Sequence, residues 1–236
     1  MKSLSLIIPA YNEEKRLPPF LKSIADYVQQ HPDYIQELLV IDDGSNDNTA
    51  AVTEKLAREL PGFKLIKQPS NQGKGAAIKT GVQAATTELV VFIDADGATP
   101  VTELPAMREA LTSAQIAVGN RWMPGAKVHR SSPLRHISGW VYKTYMSMFG
   151  LSGIDTMCGF KGYEVSVARD LFHDLIEPRW LFDTEIAYKA VQRGYRIKNF
   201  PIEWKSVDGS KLSSFDLLKS AMSIWPLIQR IKKQKI

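Results

Sequence analysis

The sequence predicts an α/β fold with a mostly parallel, doubly wound central sheet that is flanked by helices. Three observations support this prediction. Four apolar segments with β-branched residues recur within residues 1–100, each is followed by apolar residues at helical spacing, and short loops join them. Strands that alternate with helices in this way form parallel βαβ units. We therefore expect one sheet with helices on both faces.

The first predicted strand, residues 4–8, is followed by a turn and by a helix over residues 13–30. Apolar residues recur there every three or four positions before a His-Pro-Asp stop. A second strand at residues 38–41 leads to a helix that a Pro-Gly pair ends. A third strand, residues 63–66, precedes a helix that is opened by Asn-Gln-Gly-Lys-Gly at residues 71–75.

The fourth strand, residues 89–93, is the predicted centre of the sheet, because it is apolar throughout. Asp94 and Asp96 follow it, at the carboxyl end where open α/β sheets bind ligands. Two carboxylates this close repel each other and need a cation or hydrogen-bond donors. Oxygen ligands suit Mg²⁺ or Mn²⁺, which take remaining ligands from substrate phosphates. An isolated Asp-x-Asp also fits turn capping, so the rest of the chain must decide.

The second half has a less regular pattern. The elements expected there are a helix near 101–113, a strand at 116–119, a basic loop over 120–135, a helix over 136–149, a strand near 158–163, helices at 165–175 and 183–193, and a strand at 195–203. The helix over 136–149 is expected to place Ile137, Val141, Tyr145 and Met148 on one stripe.

No linker interrupts residues 1–212, which we interpret as one domain. Its first half, residues 1–100, is expected to bind a nucleotide, and residues 101–212 are expected to supply an acceptor site. Residues 213–236 form an amphipathic, basic tail.

The chain has 236 residues, of which 44% are apolar, so it can bury a substantial core. Its one cysteine, Cys158, excludes an intrachain disulfide framework and is expected to pack as a small buried group without acting as a nucleophile. The first apolar run is too short for a signal peptide, and no run approaches the ~20 residues of a bilayer span. We expect a cytoplasmic protein that lies at most on the surface of a membrane.

The net charge of +5 is unevenly distributed, because basic residues cluster within 121–135 and 230–235. Both clusters indicate anionic partners. No motif of interleaved aromatic and basic residues accompanies them, so nucleic acid is not an expected partner. The four histidines are isolated in the sequence, and catalytic roles are not expected for them.

Two phosphate-binding folds are disfavoured by motif spacing. A dinucleotide-binding fold needs G-x-G-x-x-G after the first strand, where this chain has Pro-Ala-Tyr-Asn-Glu-Glu at residues 9–14. The G-x-x-x-x-G-K-[ST] segment of a P-loop does not occur either. Dehydrogenase, kinase and ATPase chemistry therefore lose support.

Four ordered motifs resemble the inverting glycosyltransferases of family two, which have the GT-A fold. These motifs are Pro9-Ala-Tyr-Asn-Glu-Glu14, Asp42-Asp-Gly-Ser45, Asn71-Gln-Gly-Lys-Gly75 and Asp94-Ala-Asp96. Within this family, the chain resembles the dolichyl-phosphate β-glucosyltransferases through Asp94-Ala-Asp-Gly-Ala-Thr99, Asp155-Thr-Met-Cys-Gly-Phe-Lys161, Arg179-Trp-Leu-Phe-Asp-Thr-Glu185, and Trp204 with Asp208-Gly-Ser-Lys211. Polyprenyl-phosphate mannosyltransferases are similar, but their metal motif usually continues with Leu-Gln. This difference favours glucose.

The resemblance implies a uridine nucleotide-sugar donor, with UDP-glucose favoured. Residues after the first two strands would hold the uracil and ribose, namely Pro9, Tyr11, Glu13, and Asp42 or Asp43. Asp94 would face the ribose or share the metal, and Asp96 would coordinate Mg²⁺ or Mn²⁺ at the diphosphate. Lys74 would add positive charge near the phosphates, although its Gly-Lys-Gly setting also fits a simple helix start.

The acceptor implied by the resemblance is a polyprenyl or dolichyl phosphate. A phosphomonoester is largely ionised at neutral pH, so the site needs cations to position it more than it needs a strong base. The candidate cations are Arg121, Arg130 and Lys211, the last together with the hydroxyl of Ser210. Arg135 is a secondary candidate. A solvated basic loop is the alternative for each of them. Asp183 and Glu185 would orient sugar hydroxyls, and Asp183 is also a candidate base.

Three functions are compared on this basis. They are transfer of glucose to a polyprenyl phosphate at a membrane surface, transfer to a soluble saccharide with an aspartate base, and binding without catalysis. The metal acids disfavour binding alone, and the basic loop favours a phosphate acceptor. A polyprenyl-phosphate mannosyltransferase remains an alternative.

The tail has apolar residues every three or four positions: Phe215, Leu218, Met222, Trp225, Ile228 and Ile231. This face either packs on the domain or enters an anionic membrane surface beside the terminal basic residues. Under the second interpretation, removing residues 226–236 is expected to leave the domain folded.

Overall fold

The computed structural model describes residues 2–57, 60, 62–129, 141–142, 144–207 and 214–234, with side chains except at residues 57 and 214–222. The strands are β1 (Leu4–Ala10), β2 (Glu37–Asp42), β3 (Phe63–Lys67), β4 (Leu89–Ile93), β5 (Ile116–Asn120), β6 (Lys127–His129), β7 (Phe160–Glu164), β8 (Ile197–Pro201) and β9 (Glu203–Lys205). The helices are α1 (Leu17–Gln30), α2 (Thr49–Ala57), α3 (Lys74–Ala84), α4 (Leu104–Ser113), α5 (Val165–His173), α6 (Phe182–Gln192) and α7 (Ser214–Lys233).

Seven strands form one sheet in the order β3-β2-β1-β4-β7-β5-β8. β1 pairs in parallel with β2 and β4, and β3 extends the parallel part. β7 is antiparallel to both β4 and β5. The predicted mostly parallel, doubly wound sheet is therefore confirmed, with one reversed strand at its centre.

Apolar side chains cover the sheet on both faces. One face carries α1 and α4, with Leu21 and Leu104 among the buried residues. The other face carries α3, α5, α6 and α7, with Ile78 and Ile228 in the same core cluster. All five residues of β4 are buried, as expected for a central strand between two layers of helices.

Three predicted element boundaries were wrong. The first helix begins at Leu17 and not at residue 13, because the amides of Arg16 and Leu17 close a turn onto the Glu13 carbonyl. The predicted loop over 120–135 contains β6, which pairs with β9 in a separate two-stranded sheet. The strand predicted at 195–203 is divided into β8 and β9, which belong to different sheets.

The stripe predicted on the helix near 136–149 does not coincide with the buried side of this helix, although Tyr145 is half-buried against the core. Residues 141–142 and 144–147 are helical, but Tyr142 and Met146 are the buried residues. Val141 and Met148 are exposed. Ile137 lies outside the described residues. Both faces of this helix carry large apolar side chains, so periodicity alone did not identify the buried one.

The C-terminal helix α7 packs on the domain, which is the first of the two interpretations of its apolar residues, and its buried side includes Ile228 and Ile231 of the predicted face. Ile224, Leu227, Ile228 and Ile231 are buried in the core, whereas Trp225 is exposed. Because Leu227, Ile228 and Ile231 are part of the core, we now expect removal of residues 226–236 to destabilise the domain. Within the described part of the chain, none of the helices is both long and apolar enough to cross a bilayer.

Glu37 on β2 stabilises the sheet through a buried hydrogen-bond cluster. Its carboxylate accepts hydrogen bonds from the Ser5 hydroxyl at 2.5 Å, from the amide and hydroxyl of Thr86 at 2.9 and 2.8 Å, and from Lys64 Nζ at 3.0 Å. Burial alone would raise the pKa of Glu37, but these hydrogen bonds lower it to about 2. The ionised carboxylate is therefore the form that stabilises the fold.

We expect Glu37→Gln to lower the free energy of unfolding by roughly 3 kcal/mol at pH 7. Because the folded pKa lies below the ordinary value of 4.5, the stabilisation is complete above that pH and is lost as the pH falls towards about 2. Urea unfolding at several pH values measures the difference. Glu54→Gln, which removes an exposed pair with Lys67, is the control and should change little. An equal loss at pH 2 and pH 7 would contradict this account.

Candidate functional site

The candidate site lies where β1, β2 and β4 end, because these parallel strands end at the same edge of the sheet. The loops after β1 and β2 are tied to each other. The Asn12 amide donates to Ser45 Oγ at 2.9 Å, the Asn46 amide donates to Asn12 Oδ1 at 2.9 Å, and the Glu13 amide donates to Thr49 Oγ1 at 2.7 Å. These hydrogen bonds preorganise the edge of the sheet.

Asp42 and Asp43, which sequence reasoning could not tell apart, have different partners. Both oxygens of Asp43 accept backbone N–H groups, from Gln72 and Gly73, each at 2.8 Å. Burial is the main reason why the pKa of Asp43 is raised, although these hydrogen bonds oppose the shift. Asp42 accepts one hydrogen bond, from the Ser45 amide at 3.0 Å. Asp43 therefore holds the loop before α3 with both of its oxygens. Asp42 uses one oxygen to accept the Ser45 amide.

The other residues predicted to hold the nucleoside lie on the same edge. Pro9 is the second-last residue of β1, and Tyr11 directly follows the strand. The side chain of Tyr11 is half-buried. Glu13 is buried and forms a two-point ion pair with Arg16, with Nε and Nη2 at 2.7 and 2.5 Å from its two oxygens. The Glu13 carboxylate is thus neutralised by Arg16.

Asp94 and Asp96 directly follow β4, as the apolar run predicted. Asp94 forms an ion pair with Lys74 at the start of α3, with Nζ and Oδ1 2.5 Å apart. Asp96 Oδ1 accepts the Ala98 amide at 3.0 Å. Burial and the nearby Asp94 charge raise the pKa of Asp96, against the opposing hydrogen bond from Ala98 and the charges of Arg16 and Lys74.

This donor set fits a divalent cation. The two carboxylates supply oxygen ligands only, and Mg²⁺ and Mn²⁺ usually take one or two protein carboxylates together with substrate phosphates. No group of three or more acidic, histidine or cysteine side chains arranged for a metal is found among the described residues. Asp94 and Asp96 would therefore hold the ion only together with other oxygens, such as those of a diphosphate.

Gly159 leaves room for the carboxylate of Asp94. The antiparallel pairing of β4 with β7 places the residue before Phe160 opposite the one after Ile93. A Cβ atom at Gly159 would overlap the carboxylate of Asp94. The Asp94 carboxylate therefore packs directly on the backbone of the second half of the chain.

The two glycines of the Gly73-Lys74-Gly75 segment let the first half of the chain pack closely against the second half. A Cβ atom at Gly73 would lie 2.6 Å from the Pro178 carbonyl oxygen, and Gly73 has a φ of +108°. A Cβ atom at Gly75 would lie 2.5 Å from Phe182 Cβ. These two glycines allow the start of α3 to approach the segment before α6, which positions Lys74 between the two halves.

The charge of Lys74 interacts with acids from both halves of the chain. Burial alone would lower the pKa of Lys74, but the charges of Asp94, Asp183 and Asp96 raise it above its ordinary value. Asp183, in the first turn of α6, therefore lies in the same charge cluster as the two acids after β4.

Asp183 is buried and is paired with Lys161 on β7. Lys161 Nζ lies 2.6 Å from Asp183 Oδ1 and also donates to the carbonyl oxygens of Thr156 and Cys158, at 3.2 and 2.5 Å. Burial is the main reason why the pKa of Asp183 is raised, against the opposing charges of Lys161 and Lys74. Lys161 thus connects α6 to the loop before β7.

Arg121, predicted to contact an acceptor phosphate, is paired with Asp155. Its Nε and Nη2 lie 2.8 and 2.9 Å from the two oxygens of Asp155, and its guanidinium lies 5.2 Å from the Trp204 ring centroid. Burial would raise the pKa of Asp155, but Arg121 lowers it below its ordinary value. Part of the Arg121 hydrogen-bonding capacity is therefore already used within the protein.

The expectation that Glu185 orients a sugar hydroxyl was wrong. Glu185 is fully buried, accepts the amides of Ile176 and Glu177 at 2.8 and 2.7 Å, and pairs with Lys189 at 2.7 Å. Residues two apart on a helix point to different faces, so Asp183 and Glu185 cannot both reach one site. Glu185 holds the segment before α6.

Cys158 has the environment that was expected for a residue without a nucleophilic role. The side chain is fully buried, and burial together with the Asp155 charge raises the pKa of its thiol to about 12. Arg130, Arg135, Ser210 and Lys211 lie outside the described residues.

Sequence reasoning missed the individual roles of Lys161 and Asp155, which entered only as parts of a longer motif. One signal could have identified Lys161. β7 reads Phe-Lys-Gly-Tyr-Glu and lies between two buried strands, so a lysine in it requires an internal counter-charge. The sequence did not identify Asp183 as that partner, because 22 positions separate the two residues.

Comparisons with known proteins agree with the geometry. Residues 5–172 match the family model described as glycosyl transferase family 2. A dolichyl-phosphate beta-glucosyltransferase of Trichomonas vaginalis is 34% identical over 93% of this chain and 69% of its own length. The protein of the same name from Homo sapiens is 32% identical over 91% of this chain and 71% of its own length.

Solved structures show a similar fold. A crystal structure of glucosyl-3-phosphoglycerate synthase from Mycobacterium tuberculosis has a TM-score of 0.73 at 17% identity, covering 98% of this chain and 80% of that one. A structure of the same enzyme in complex with Mn²⁺, UDP-glucose and phosphoglyceric acid has a TM-score of 0.75, also at 17% identity, and covers 98% of this chain and 79% of that one. At this identity, the likeness supports the fold alone.

Proposed function

This chain belongs to glycosyl transferase family 2 and has the GT-A fold, and from that premise we propose that it moves glucose from UDP-glucose to a polyprenyl or dolichyl phosphate with inversion. The observation that carries the proposal is the close approach of the acids after β4 to the start of α6: Lys74 pairs with Asp94, and the neighbouring Gly75 packs on Phe182, the residue before Asp183. Acids from both halves of the chain at one place fit a transfer between two bound substrates. The names of the curated relatives support the lipid acceptor and the glucose.

On the donor side, the tied loops after β1 and β2 would hold the uracil and ribose. Asp42 is the better candidate for a nucleoside hydrogen bond, because both oxygens of Asp43 already bind backbone amides. Pro9 and Tyr11 lie on the same edge and would contact the base. Glu13 is paired with Arg16, so it would contribute to nucleoside binding by accepting hydrogen bonds and not by its net charge.

Asp94 and Asp96 would hold Mg²⁺ or Mn²⁺ together with the diphosphate of the donor. When bound, the ion supplies Lewis-acid stabilisation of the departing nucleoside diphosphate. Lys74 adds a fixed positive charge beside these acids and orients Asp94 through their ion pair. Gly159, which has no Cβ atom, leaves room for the Asp94 carboxylate beside the backbone of the second half.

On the acceptor side, Asp183 would accept hydrogen bonds from sugar hydroxyls or from the acceptor. Its charge is balanced by Lys161 and Lys74, so an anionic phosphate can approach it with less repulsion. A phosphomonoester is largely ionised at pH 7 and attacks without a strong base. A base role for Asp183 would be needed only for a neutral hydroxyl acceptor.

The basic residues Arg130 and Lys211 remain our candidates for positioning the acceptor phosphate, and Arg121 would do so with the N–H groups that Asp155 leaves available. The Arg121–Asp155 pair also supports the fold, so its loss has two consequences. Removing Arg121 would leave Asp155 buried without its main counter-charge. Tests of acceptor binding should therefore start with Arg130 and Lys211.

We expect Arg130→Ala and Lys211→Ala to raise KM for the lipid phosphate or to lower kcat, by about 10-fold each, while the affinity for UDP stays nearly unchanged. Steady-state kinetics with dolichyl phosphate and calorimetric titration with UDP measure the two effects. Lys198→Ala, which removes an exposed lysine on β8, is the matched control. A selective loss of UDP affinity would reassign these residues to the donor site.

A donor panel tests the proposed substrate. Purified protein with dolichyl phosphate and Mn²⁺ or Mg²⁺ is offered radiolabelled UDP-glucose, UDP-N-acetylglucosamine or GDP-mannose, and label in the organic phase is counted. Our proposal predicts transfer from UDP-glucose at a rate at least about 10² times that from the others. Transfer from GDP-mannose alone would favour the mannosyltransferase alternative. Removal of divalent ions with EDTA should stop the reaction.

A location at a membrane surface follows from this proposed acceptor, because a phosphate on a long apolar chain stays at the bilayer surface, and we propose the cytoplasmic face for it. We propose that the protein is peripheral there. The proposed reaction does not involve nucleic acid as a substrate or partner.

A further inference from the structure

Three large apolar side chains are exposed on the part of the protein formed by residues 141–149 and α7. The exposed fractions are 54% for Val141, 77% for Met148 and 60% for Trp225. Among the described residues, Trp180 is the other large apolar side chain of this kind, and it follows Arg179 in the segment before α6. Single exposed apolar residues are common, but a group of them indicates a contact surface.

Trp225 on α7 is connected to the segment 141–149 through the ring of Phe149. Phe149 follows Met148 directly, and its ring centroid lies 6.1 Å from that of Trp225 and 5.2 Å from that of Tyr145. Val141 lies in the helical part of this segment and Met148 in the turn that follows, and both side chains are exposed. We call Val141, Met148 and Trp225 the apolar ridge.

The end of α7 adds positive charge beside the ridge. Arg230, Lys232 and Lys233 are exposed, and none of them forms an ion pair with a carboxylate in the described part of the chain. Lys232 and Lys233 lie seven and eight residues after Trp225, on the same side of the helix. The opposite side of α7 is buried, so this helix is fixed with its tryptophan and lysines outward.

We propose that the apolar ridge and these three basic residues form a docking surface for an anionic lipid bilayer. A tryptophan, a methionine and a valine fit the boundary between headgroups and acyl chains, and adjacent unpaired cations fit anionic headgroups. The lysines give the charge complementarity that separates this occupant from a second copy of the chain, whose matching ridge would bring like charges together. The surface combines two segments and is not the single stripe that the tail sequence suggested.

The docking surface is linked to the acceptor end of the candidate site. Tyr142 follows Val141, and its hydroxyl lies 3.0 Å from Thr184 Oγ1. Thr184 is the residue after Asp183. Docking through the ridge would therefore hold the Asp183 end of the site close to the lipid surface. The inference itself rests on exposed side chains and charge, and it does not require the proposed function to be correct.

Co-sedimentation with vesicles tests the proposal without any substrate. Vesicles of phosphatidylcholine with about one third phosphatidylserine, and vesicles of phosphatidylcholine alone, are mixed with the full chain. We expect binding to the anionic vesicles that weakens as salt rises. Lys232→Glu with Lys233→Glu should weaken it at least about tenfold, and Trp225→Ala should weaken it severalfold.

The matched control reverses two charges on the other face of the sheet. Lys22 on α1 and Lys55 on α2 are exposed there, because both helices pack towards the face of the sheet opposite α7. Lys22→Glu with Lys55→Glu makes the same change in net charge and should weaken binding less than about twofold. Equal weakening by the two double variants would overturn the proposal, because it would show attraction by net charge alone.

Quenching by lipids with brominated acyl chains adds a readout of depth. We expect these lipids to quench part of the tryptophan emission of the protein, and the Trp225→Phe variant to lose that quenching while it still sediments with the vesicles. Quenching that is unchanged in Trp225→Phe would overturn the role of the ridge. A dimer in sedimentation equilibrium that Trp225→Ala converts to a monomer would assign the ridge to a second copy of the chain.

Discussion

Replacing Asp96 with asparagine is expected to lower the turnover number by about 10³-fold or more, while the protein remains folded. Asp96 follows the central strand β4, and both burial and the nearby Asp94 charge raise the pKa of its carboxyl group. Asparagine keeps the shape and the hydrogen bond to the Ala98 amide, but it removes the negative charge that a divalent ion needs. The loss is therefore expected in catalysis and not in stability.

Radiometric transfer from UDP-glucose measures this effect, and thermal unfolding shows that the fold is intact. Titration calorimetry with UDP and Mn²⁺ is the second measurement, and the variant should bind UDP with little dependence on the metal. Asp33→Asn, an exposed change in the turn after α1, is the matched control and should retain full activity. Full activity of Asp96→Asn in Mn²⁺ would remove Asp96 from the proposed metal site.

Replacing Lys161 with methionine is expected to lower the free energy of unfolding by about 3–5 kcal/mol, because it removes one partner of a buried ion pair. Lys161 Nζ contacts Asp183 and two carbonyl oxygens, and its side chain is 3% exposed. Without this charge, Asp183 would be protonated or would move away from the cluster around Lys74. We therefore expect most of the transfer activity to be lost as well.

A double-mutant cycle separates the pair from the rest of the core. Lys161→Met combined with Asp183→Asn should be more stable than the sum of the two single changes predicts, by about 1–3 kcal/mol, because the unpaired buried charge is gone. Lys198→Met, an exposed change on β8, should leave stability nearly unchanged. Additive effects in the cycle would show that Lys161 and Asp183 do not act as a pair.

The sequence predicted the donor half well because its signals are local. The run of apolar residues before Asp94 identified the central strand, and the acids after it identified the edge of the sheet where the site lies. Helical spacing likewise identified α1 and α3. The roles of Asp42 and Asp43 could not be separated, because the amides that Asp43 binds lie about thirty residues later in the chain.

Predictions failed where distant segments decide the outcome. Glu185 was grouped with Asp183 by closeness in sequence, but the helix turns the two side chains to different sides. The strand β6 has three residues and exists through its pairing with β9, more than seventy residues away. On α7, apolar spacing suggested one face, whereas packing buried Ile224 and Leu227 and left Trp225 exposed.

The most direct test of the central claim is to offer the purified protein UDP-glucose, labelled in the sugar, with dolichyl phosphate in vesicles and a free saccharide together in one reaction. The account predicts that the label enters the organic phase as a single glucosyl phosphate lipid, and that proton NMR of the sugar shows the β configuration, as inversion requires. Label found only on the soluble saccharide, or an α-linked product, would contradict it.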